Sequence, residues 1–197
     1  MTAPKTLLQL AGADLSLPSL GQSCLVLIDL QNEYRTGPLA LPGADAAIAS
    51  ASRLLARARQ EGAAIFHIAH KGKPGGLFDR TAERGTIVEP LAPRRTEAVI
   101  EKALPNAFAG TDLQARLATT GRNNVVLAGM MTHMCVSSTA RAALDLGLRV
   151  TIDAESCATR DLPDGRGGAI DASVVHEVAL AELADRFAII ARDGALS

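Results

Sequence analysis

Short apolar runs alternate with Ala- and Leu-rich stretches of helical periodicity along this chain, and that alternation restricts its possible folds most strongly. The apolar runs predict strands at 24–29, 63–69, 97–102, 123–129, 149–156 and 187–191. Helical patterns fall between them, at 44–60, 111–121, 134–146 and 171–186, with Thr111 as the predicted cap of the second helix. Such alternation builds right-handed βαβ units, and strands that are apolar throughout are covered by helices on both faces. We therefore predict a Rossmann-like, three-layer α-β-α sandwich around a mainly parallel six-stranded sheet.

Length and composition narrow the class of protein further. The 197 residues are enough for one domain with a substantial core, and we predict an N-terminal arm at 1–23 and a single domain at 24–197. The net charge is -1 and there is no Trp, so we expect no nucleic-acid and no membrane-surface partner. No apolar stretch is long enough for a membrane helix, and we read no signal peptide at the N-terminus. Three widely spaced cysteines argue against a disulfide framework, which predicts a cytoplasmic protein.

Three polar or reactive residues lie at the ends of predicted strands. Asp29 closes the first strand, Lys102 closes the third, and Cys135 follows the fourth at a predicted helix start. Ligands of doubly wound sheets bind at the carboxyl ends of the strands, so these side chains should share one rim. A helix N-terminus and a nearby lysine both favour a thiolate, which predicts a lowered pKa for Cys135. A carboxylate beside it can accept and return the proton.

Each of these residues also has a structural interpretation. Cysteine is often a small buried hydrophobe, and we expect Cys24 and Cys157 to be inert for that reason. Asp29 could cap the turn after its strand, and Lys102 could be a solvated strand end. The joint placement of the three residues favours a catalytic role more than any one of them does.

The chain resembles the isochorismatase-like cysteine hydrolases, a superfamily that includes nicotinamidases and N-carbamoylsarcosine amidohydrolases. The resemblance spans roughly 24–191 and rests on four segments: LVLIDLQNEY, VIEKALPNAFAGTDL, GMMTHMCVSSTARAALDLG and VTIDAESCAT. It implies the six-stranded fold and a catalytic triad of Asp29, Lys102 and Cys135. It also implies a cis peptide at Met130–Met131, and an oxyanion hole formed by the N–H groups of Met131 and Cys135.

The resemblance guides the remaining site assignments. Nicotinamidases of this fold carry a metal-binding Asp-x-His after the second strand, but the corresponding segment here is HIAHKGKPGG. We therefore predict no metal, and since neither glycine-rich segment fits a nucleotide motif, no cofactor. His70, Phe108, Tyr34 and His133 are predicted to bind the substrate, although ordinary packing or a surface position could explain Phe108 and His133.

Four other positions are expected to be structural. We expect His67 to pack inside the sheet layers and His176 to be a structural residue of its helix. Gln31 and Thr132 are expected to fix the backbone of the site rather than contact the substrate.

These observations predict a cysteine hydrolase that cleaves a C–N bond in a small amide, carbamoyl or imide-like substrate through a thioester. Isochorismatase-type vinyl-ether hydrolysis is an alternative, and family members with that chemistry can lack the cysteine. A catalytically silent binding protein and a redox sensor at Cys135 are two others. The family implies a homo-oligomer, a dimer or a tetramer, with the N-terminal arm and the long segment 70–95 as candidate contacts.

Overall fold

A computed structural model describes residues 3–196 and contains one central sheet. Eight strands were identified: β1 (Ser23–Ile28), β2 (Ala64–His70), β3 (Ala98–Lys102), β4 (Asn124–Met130), β5 (Arg149–Ala158), β6 (Leu162–Pro163), β7 (Ala169–Ile170) and β8 (Ile189–Ala191). The main sheet has the order β3-β2-β1-β4-β5-β8, and every neighbouring pair in it is parallel. Strands β6 and β7 form a small antiparallel hairpin. The predicted α/β fold with six parallel strands is confirmed.

Helices cover both faces of this sheet. They are α1 (Leu7–Leu10), α2 (Ala44–Glu61), α3 (Leu113–Thr119), α4 (Ser137–Asp145) and α5 (Ala172–Arg186). Helix α2 packs on one face, and helices α3, α4 and α5 contribute buried residues to the other. The three-layer arrangement follows from the sequence because strands that are apolar on both faces need a cover on each side.

Strand β1 illustrates how the two cores are separated. All six of its residues are buried. Leu25 and Leu27 join the core beneath α2, whereas Val26 and Ile28 join the core on the opposite face. The alternation is the period of two expected for a strand, and burial of each large aliphatic side chain stabilises the fold by about 1.5–3 kcal/mol.

Two local predictions are corrected by the structure. The helix predicted at 134–146 begins instead as a π-helical turn, Thr132–Val136, and continues as α4. Thr111 is not the cap of α3, because Asp112 occupies that position. The Thr111 hydroxyl donates to the Ala107 carbonyl at 2.6 Å, which holds Thr111 in the loop before the helix.

The long connection between β2 and β3 returns over the end of β1. Ile87 forms an isolated bridge with Gln31, and the Val88 N–H donates to the Leu30 carbonyl at 3.0 Å. Two 3-10 turns, Glu83–Gly85 and Glu89–Leu91, shape the rest of the segment. The connection is therefore ordered by hydrogen bonds to the residues that follow β1, at the carboxyl edge of the sheet.

The described part of the N-terminal arm packs on its own domain. The Leu7 N–H donates to Asp185 Oδ1 at 2.8 Å, and Arg149 Nη2 donates to the Ser16 carbonyl at 2.6 Å. The division into an arm at 1–23 and a domain at 24–197 stays a prediction. The described residues do not include Met1 and Thr2 of that arm or Ser197 of that domain. Within residues 3–196, no helix combines the length and apolar character needed to cross a bilayer.

Candidate active site

Asp29, Lys102 and Cys135 meet at the carboxyl edge of the sheet, and we call them the Asp–Lys–Cys cluster. Lys102 Nζ lies 2.6 Å from Asp29 Oδ2 and donates to Cys135 Sγ at 3.4 Å. The exposed fraction is 0% for Asp29, 2% for Lys102 and 4% for Cys135. The structure therefore brings together the three residues predicted from the sequence, in a site closed to bulk water.

The backbone directs Asp29 into this cluster. Its φ angle is 51°, a left-handed conformation that Asp tolerates better than most residues. Its N–H donates to the Ile68 carbonyl at 2.9 Å, and its own carbonyl accepts from the Gln31 N–H at 2.8 Å. Asp29 Oδ1 has no hydrogen-bond partner within residues 3–196. One carboxylate oxygen thus faces Lys102, and the other is free to accept a proton.

Cys135 is carried by a tight turn after β4, residues 131–136, which we call the Cys135 turn. The Met130–Met131 peptide is cis, as the family resemblance implied. The Met131 carbonyl accepts from the N–H groups of Met134 at 3.0 Å and Val136 at 3.2 Å. The bond from Val136 spans five residues and makes the turn π-helical, a feature often found at functional sites.

Gly129 makes room for the approach to this turn. Its φ angle is 139°, and a Cβ at this position would lie 2.0 Å from the Ile28 carbonyl oxygen. A side chain cannot occupy that space, because it would collide with the neighbouring strand. Glycine here therefore lets β4 stay hydrogen-bonded to β1 while the chain turns toward Cys135.

The pKa of Cys135 is raised, whereas the sequence predicted that it would be lowered. Burial raises the pKa of the Cys135 thiol to about 12, and the negative charge of Asp29 raises it further, while Lys102 opposes both. Burial also raises the pKa of Asp29, again opposed by Lys102. The predicted lowering of the thiol pKa is therefore wrong, because the sequence shows neither the burial of Cys135 nor the closeness of the carboxylate. In the resting site the sulfur keeps its proton.

His70 lies beside Lys102, and its contact with a substrate stays a prediction. Its Nδ1 is 3.3 Å from Lys102 Nζ, and burial, aided by the Lys102 charge, lowers the His70 pKa to about 4. A neutral imidazole can therefore accept a hydrogen bond from the lysine at pH 7. Gln31 holds the His70 backbone, since its side chain accepts from the His70 N–H at 2.8 Å and donates to the His70 carbonyl at 3.0 Å. Gln31 fixes the backbone of the site, as predicted.

Aromatic side chains pack next to the cluster. The Phe78 ring lies 5.2 Å from the Tyr34 ring and 5.0 Å from the His70 ring, in edge-to-face arrangements. Burial raises the pKa of Tyr34, and the nearby charge of Asp29 adds to this effect. Tyr34 was predicted as a pocket residue, whereas Phe78 was missed. Its signal in the sequence was weak: it is one of four phenylalanines and lies within the long segment 70–95.

Glu33 holds Phe78 in place. The Phe78 N–H donates to Glu33 Oε2 at 2.9 Å, and Arg84 Nη1 lies 3.1 Å from Glu33 Oε1. The Glu33 side chain is fully buried, and Phe78 has a φ angle of 56°, which is unfavourable for a bulky residue. A buried carboxylate therefore stabilises an otherwise disfavoured backbone conformation next to the cluster.

Phe108 and His133, also predicted to bind the substrate, have other described partners. Phe108 is half-buried and packs against the apolar core that includes Cys135. His133, in the Cys135 turn, hydrogen-bonds through Nδ1 to Thr159 Oγ1, and burial and the charge of Arg160 lower its pKa. Substrate contact by either residue stays a prediction.

His67 belongs to a structural network inside the protein, as expected. Its Nε2 lies 2.9 Å from Glu97 Oε2, and Glu97 also pairs with Arg59 at 2.7 Å. The side chains of His67 and Glu97 are 1% and 7% exposed. Within residues 3–196, no three His, Cys, Asp or Glu side chains are grouped so as to hold a metal ion.

Comparison with known proteins shows the family to which a chain with this fold and this cluster belongs. The family model "Isochorismatase domain" matches residues 23–192, so the chain belongs to the isochorismatase family and is a hydrolase of that family.

Three similar proteins illustrate the relationship. An isochorismatase (PP1826) from Pseudomonas putida KT2440 has a solved structure that superimposes with a TM-score of 0.92 at 41% identity, covering 96% of this chain and 97% of that one. The secreted isochorismatase effector Isc1 of Verticillium dahliae is 37% identical over 177 residues, which are 89% of this chain and 90% of the effector. The maleamate amidohydrolase of Pseudomonas putida is 32% identical over 153 residues, 69% of this chain and 72% of the enzyme.

Proposed function

We propose that this protein hydrolyses a C–N bond in a small amide, carbamoyl or imide-like substrate, with Cys135 as nucleophile. The observation that carries the proposal is the position of Lys102, whose Nζ contacts both Asp29 Oδ2 and Cys135 Sγ inside a closed site. A carboxylate, a cation and a thiol at these distances form the set of groups needed to move one proton and stabilise the resulting charges. The amidohydrolase among the similar proteins supports this choice of bond.

The first half of the reaction forms a thioester. Asp29 accepts the Cys135 proton as the sulfur attacks the carbonyl carbon, so the thiolate exists only during the attack. The N–H groups of Met131 and Cys135 donate to the developing oxyanion, and one oxyanion-hole donor contributes about 3 kcal/mol in other hydrolases. Asp29 then returns the proton to the leaving nitrogen, the C–N bond breaks, and the acyl group stays on the sulfur.

The second half releases the product. Asp29 takes a proton from a water molecule, which attacks the thioester carbonyl. The C–S bond breaks, the sulfur recovers a proton from Asp29, and the carboxylic acid leaves. Lys102 stabilises the ionised form of Asp29 and the sulfur as charge passes between them.

The residues around the cluster favour a small substrate without a net charge. His70 is neutral at pH 7 because its pKa is about 4, and Lys102 is committed to Asp29. Tyr34 and Phe78 add aromatic surface on the same side, and we propose that Phe108 and His133 contact the substrate from the other. No unpaired charge among these residues is available to hold an ionic substrate.

Vinyl-ether hydrolysis is the second candidate, and one observation favours it. Burial raises the pKa of Asp29, which suits a group that donates a proton to an enol ether. Two of the most similar proteins also bear the name isochorismatase. This chemistry has no need of Cys135, which makes the two proposals separable.

Ammonia release from a panel of small amides and carbamoyl compounds, run beside isochorismate cleavage, tests both. We expect amide turnover by the wild type, none by Cys135→Ala, and an acyl adduct on the Cys135 peptide that hydroxylamine removes. Isochorismate cleavage that survives Cys135→Ala, with no amide hydrolysed by the wild type, would establish the second candidate instead. Cleavage of neither class would favour a silent binding protein.

We further propose a cytoplasmic homo-oligomer, a dimer or a tetramer, as the family implies. Light scattering coupled to size-exclusion chromatography measures the assembly directly. A monomer at micromolar concentration would contradict it.

A further inference from the structure

A cavity outside the Asp–Lys–Cys cluster is lined by residues that hydrogen-bond to the Cys135 turn. It has a volume of about 650 Å³ and opens between α2, the carboxyl half of β5 and the first turns of α5. None of the Asp–Lys–Cys cluster lines it. On α2, residues 46, 47, 50 and 53 line it at spacings of three and four, so they share one helix face directed into the cavity.

Three polar side chains that line this cavity can donate hydrogen bonds to a ligand. Ser50 is 2% exposed, lies on the α2 face directed into the cavity, and its hydroxyl has no partner within residues 3–196. Arg53 makes no hydrogen bond or ion pair with a described residue, although its charge opposes the raised pKa of the nearby Asp153. His176 lines the cavity and uses Nδ1 for a bond to Thr132, while its Nε2 has no partner in the described part of the chain.

One helix N-terminus adds to these donors. Helix α2 begins after Gly43 without a side-chain cap bond, and Gly43 lines the cavity. The start of helix α5 also lines the cavity, through Ala172, but the Ala172 N–H already donates to Asp161 Oδ1 at 2.7 Å. Partial positive charge from the start of α2 therefore faces this space.

Acidic groups also border the cavity, and most of their oxygens accept hydrogen bonds. Glu177 accepts two hydrogen bonds from Arg192, at 3.1 and 2.8 Å, and Glu155 Oε1 accepts from the Asp193 N–H at 3.0 Å. Asp153 Oδ2 accepts from the Ser156 hydroxyl, Oδ1 has no partner within residues 3–196, and burial raises the Asp153 pKa. The donors that face a ligand are the Arg53 guanidinium, the Ser50 hydroxyl, the start of α2, and His176 Nε2 in the tautomer whose Nδ1 accepts from Thr132, and together they suit a carboxylate.

The walls of the cavity also hold the Cys135 turn. His176 Nδ1 is 2.9 Å from Thr132 Oγ1, and Thr159 Oγ1 hydrogen-bonds to His133 Nδ1. His176 and Thr159 both line the cavity, and Thr132 and His133 are the residues two and three positions before Cys135. A ligand that contacts His176 would therefore act on the segment that positions the nucleophile.

We propose that this cavity binds a small carboxylate through Arg53 and His176, and that its occupancy changes the reactivity of Cys135 through Thr132. The proposal requires no particular reaction at the Asp–Lys–Cys cluster. Binding can therefore be tested whatever bond the enzyme cleaves.

Calorimetric titration with acetate, succinate and benzoate tests the site, with benzyl alcohol as a neutral probe of benzoate size. We expect saturable binding of at least one carboxylate and a loss of about tenfold or more in Arg53→Gln. Arg57→Gln is the matched control, because Arg57 lies on the same helix but pairs with Glu61. Absence of binding by all three carboxylates, or equal binding by Arg53→Gln, would overturn the proposal.

Alkylation of Cys135 by iodoacetamide tests the coupling. We expect the carboxylate that binds to change the alkylation rate several-fold in the wild type and not in His176→Asn. If the rate change persists in Arg53→Gln, the carboxylate acts from the cluster itself and the proposal fails. If the carboxylate binds without changing the rate, the coupling is refuted and the site alone stands.

Discussion

Asp29 Oδ2 lies 2.6 Å from Lys102 Nζ, and both side chains are closed off from solvent. An ion pair in such a place costs desolvation energy that its own attraction barely repays, so it is poor evidence for a stabilising role. A role in chemistry explains its presence better, since the same lysine reaches the Cys135 sulfur at 3.4 Å.

Asp29→Asn should have opposite effects on turnover and on thiol reactivity. Loss of the proton acceptor should lower kcat by about 10² to 10⁴ on any substrate the wild type hydrolyses. The same change removes the negative charge that raises the Cys135 pKa, so alkylation at pH 8 should become faster. Mass mapping of iodoacetamide labelling against pH measures the second effect. Cys157, whose pKa burial also raises to about 12, serves as the internal control.

A parallel fall in turnover and alkylation would contradict this prediction. It would mean that Asp29 acts mainly by keeping the Cys135 turn folded, and not by raising the Cys135 pKa. Circular dichroism of the variant separates unfolding from either outcome.

Gly129→Ala should destabilise the sheet strongly. An added Cβ would lie 2.0 Å from the Ile28 carbonyl oxygen, so β4 and β1 would have to separate. We expect a loss of about 3 kcal/mol in the free energy of unfolding, measured by urea denaturation. Gly121→Ala is the control, because Gly121 has a φ angle of 67° but open space around its Cβ position. Its expected cost is about 1 kcal/mol, and equal losses would show that backbone conformation alone sets the effect.

Glu97→Gln should remove a pH-dependent part of the stability. Burial opposes ionisation of Glu97, but hydrogen bonds from Arg59, the Arg94 N–H and His67 outweigh it and lower the pKa from 4.5 to about 2. A lowered folded-state pKa gives stability that is complete above pH 4.5 and is lost as the pH falls toward 2. We expect the variant to be about 3 kcal/mol less stable at pH 7, with the difference narrowing below pH 4.5.

Urea denaturation at a series of pH values measures that difference. The exposed pair of Glu61 with Arg57 provides the control, and Glu61→Gln should cost about 0.5 kcal/mol or less at every pH. A difference between wild type and Glu97→Gln that stays constant with pH would exclude ionisation of Glu97 as its source.

Glu33→Gln should loosen the aromatic side of the site. The variant keeps the size of the side chain but weakens its bonds to the Phe78 N–H and to Arg84. We expect faster alkylation of Cys135 and faster proteolysis within the segment that follows β2, since Phe78 would leave its unfavourable backbone conformation. Glu83→Gln, in the same segment but exposed, should leave both rates unchanged.

The sequence predicts which residues come together in the site better than it predicts their pKa shifts. Asp29, Lys102 and Cys135 were recognised because parallel strands bring their carboxyl ends to one edge, whatever the details of packing. The sign of the Cys135 pKa shift was missed because it depends on burial and on a carboxylate more than 100 positions away in the chain. Phe78 was missed because its place is set by a hydrogen bond to Glu33, and no local pattern encodes that contact.

The cavity between α2, β5 and α5 could not be predicted from the sequence for a similar reason. Its walls come from the start of α2, the end of β5 and the start of α5, which no short motif connects. His176 was interpreted as structural from its helix pattern. The structure shows that His176 also hydrogen-bonds to Thr132, in the Cys135 turn after β4, and a helix pattern cannot predict that contact.

The proton held by Cys135 has a consequence for the life of the protein in a cell. Peroxides and electrophiles attack thiolates, and a thiol with a pKa near 12 offers them almost none. We therefore expect this sulfur to react with peroxides and electrophiles more slowly than an ionised cysteine would. A protonated sulfur is also a slower nucleophile, so attack depends on a correctly seated substrate and on Asp29 to take the proton.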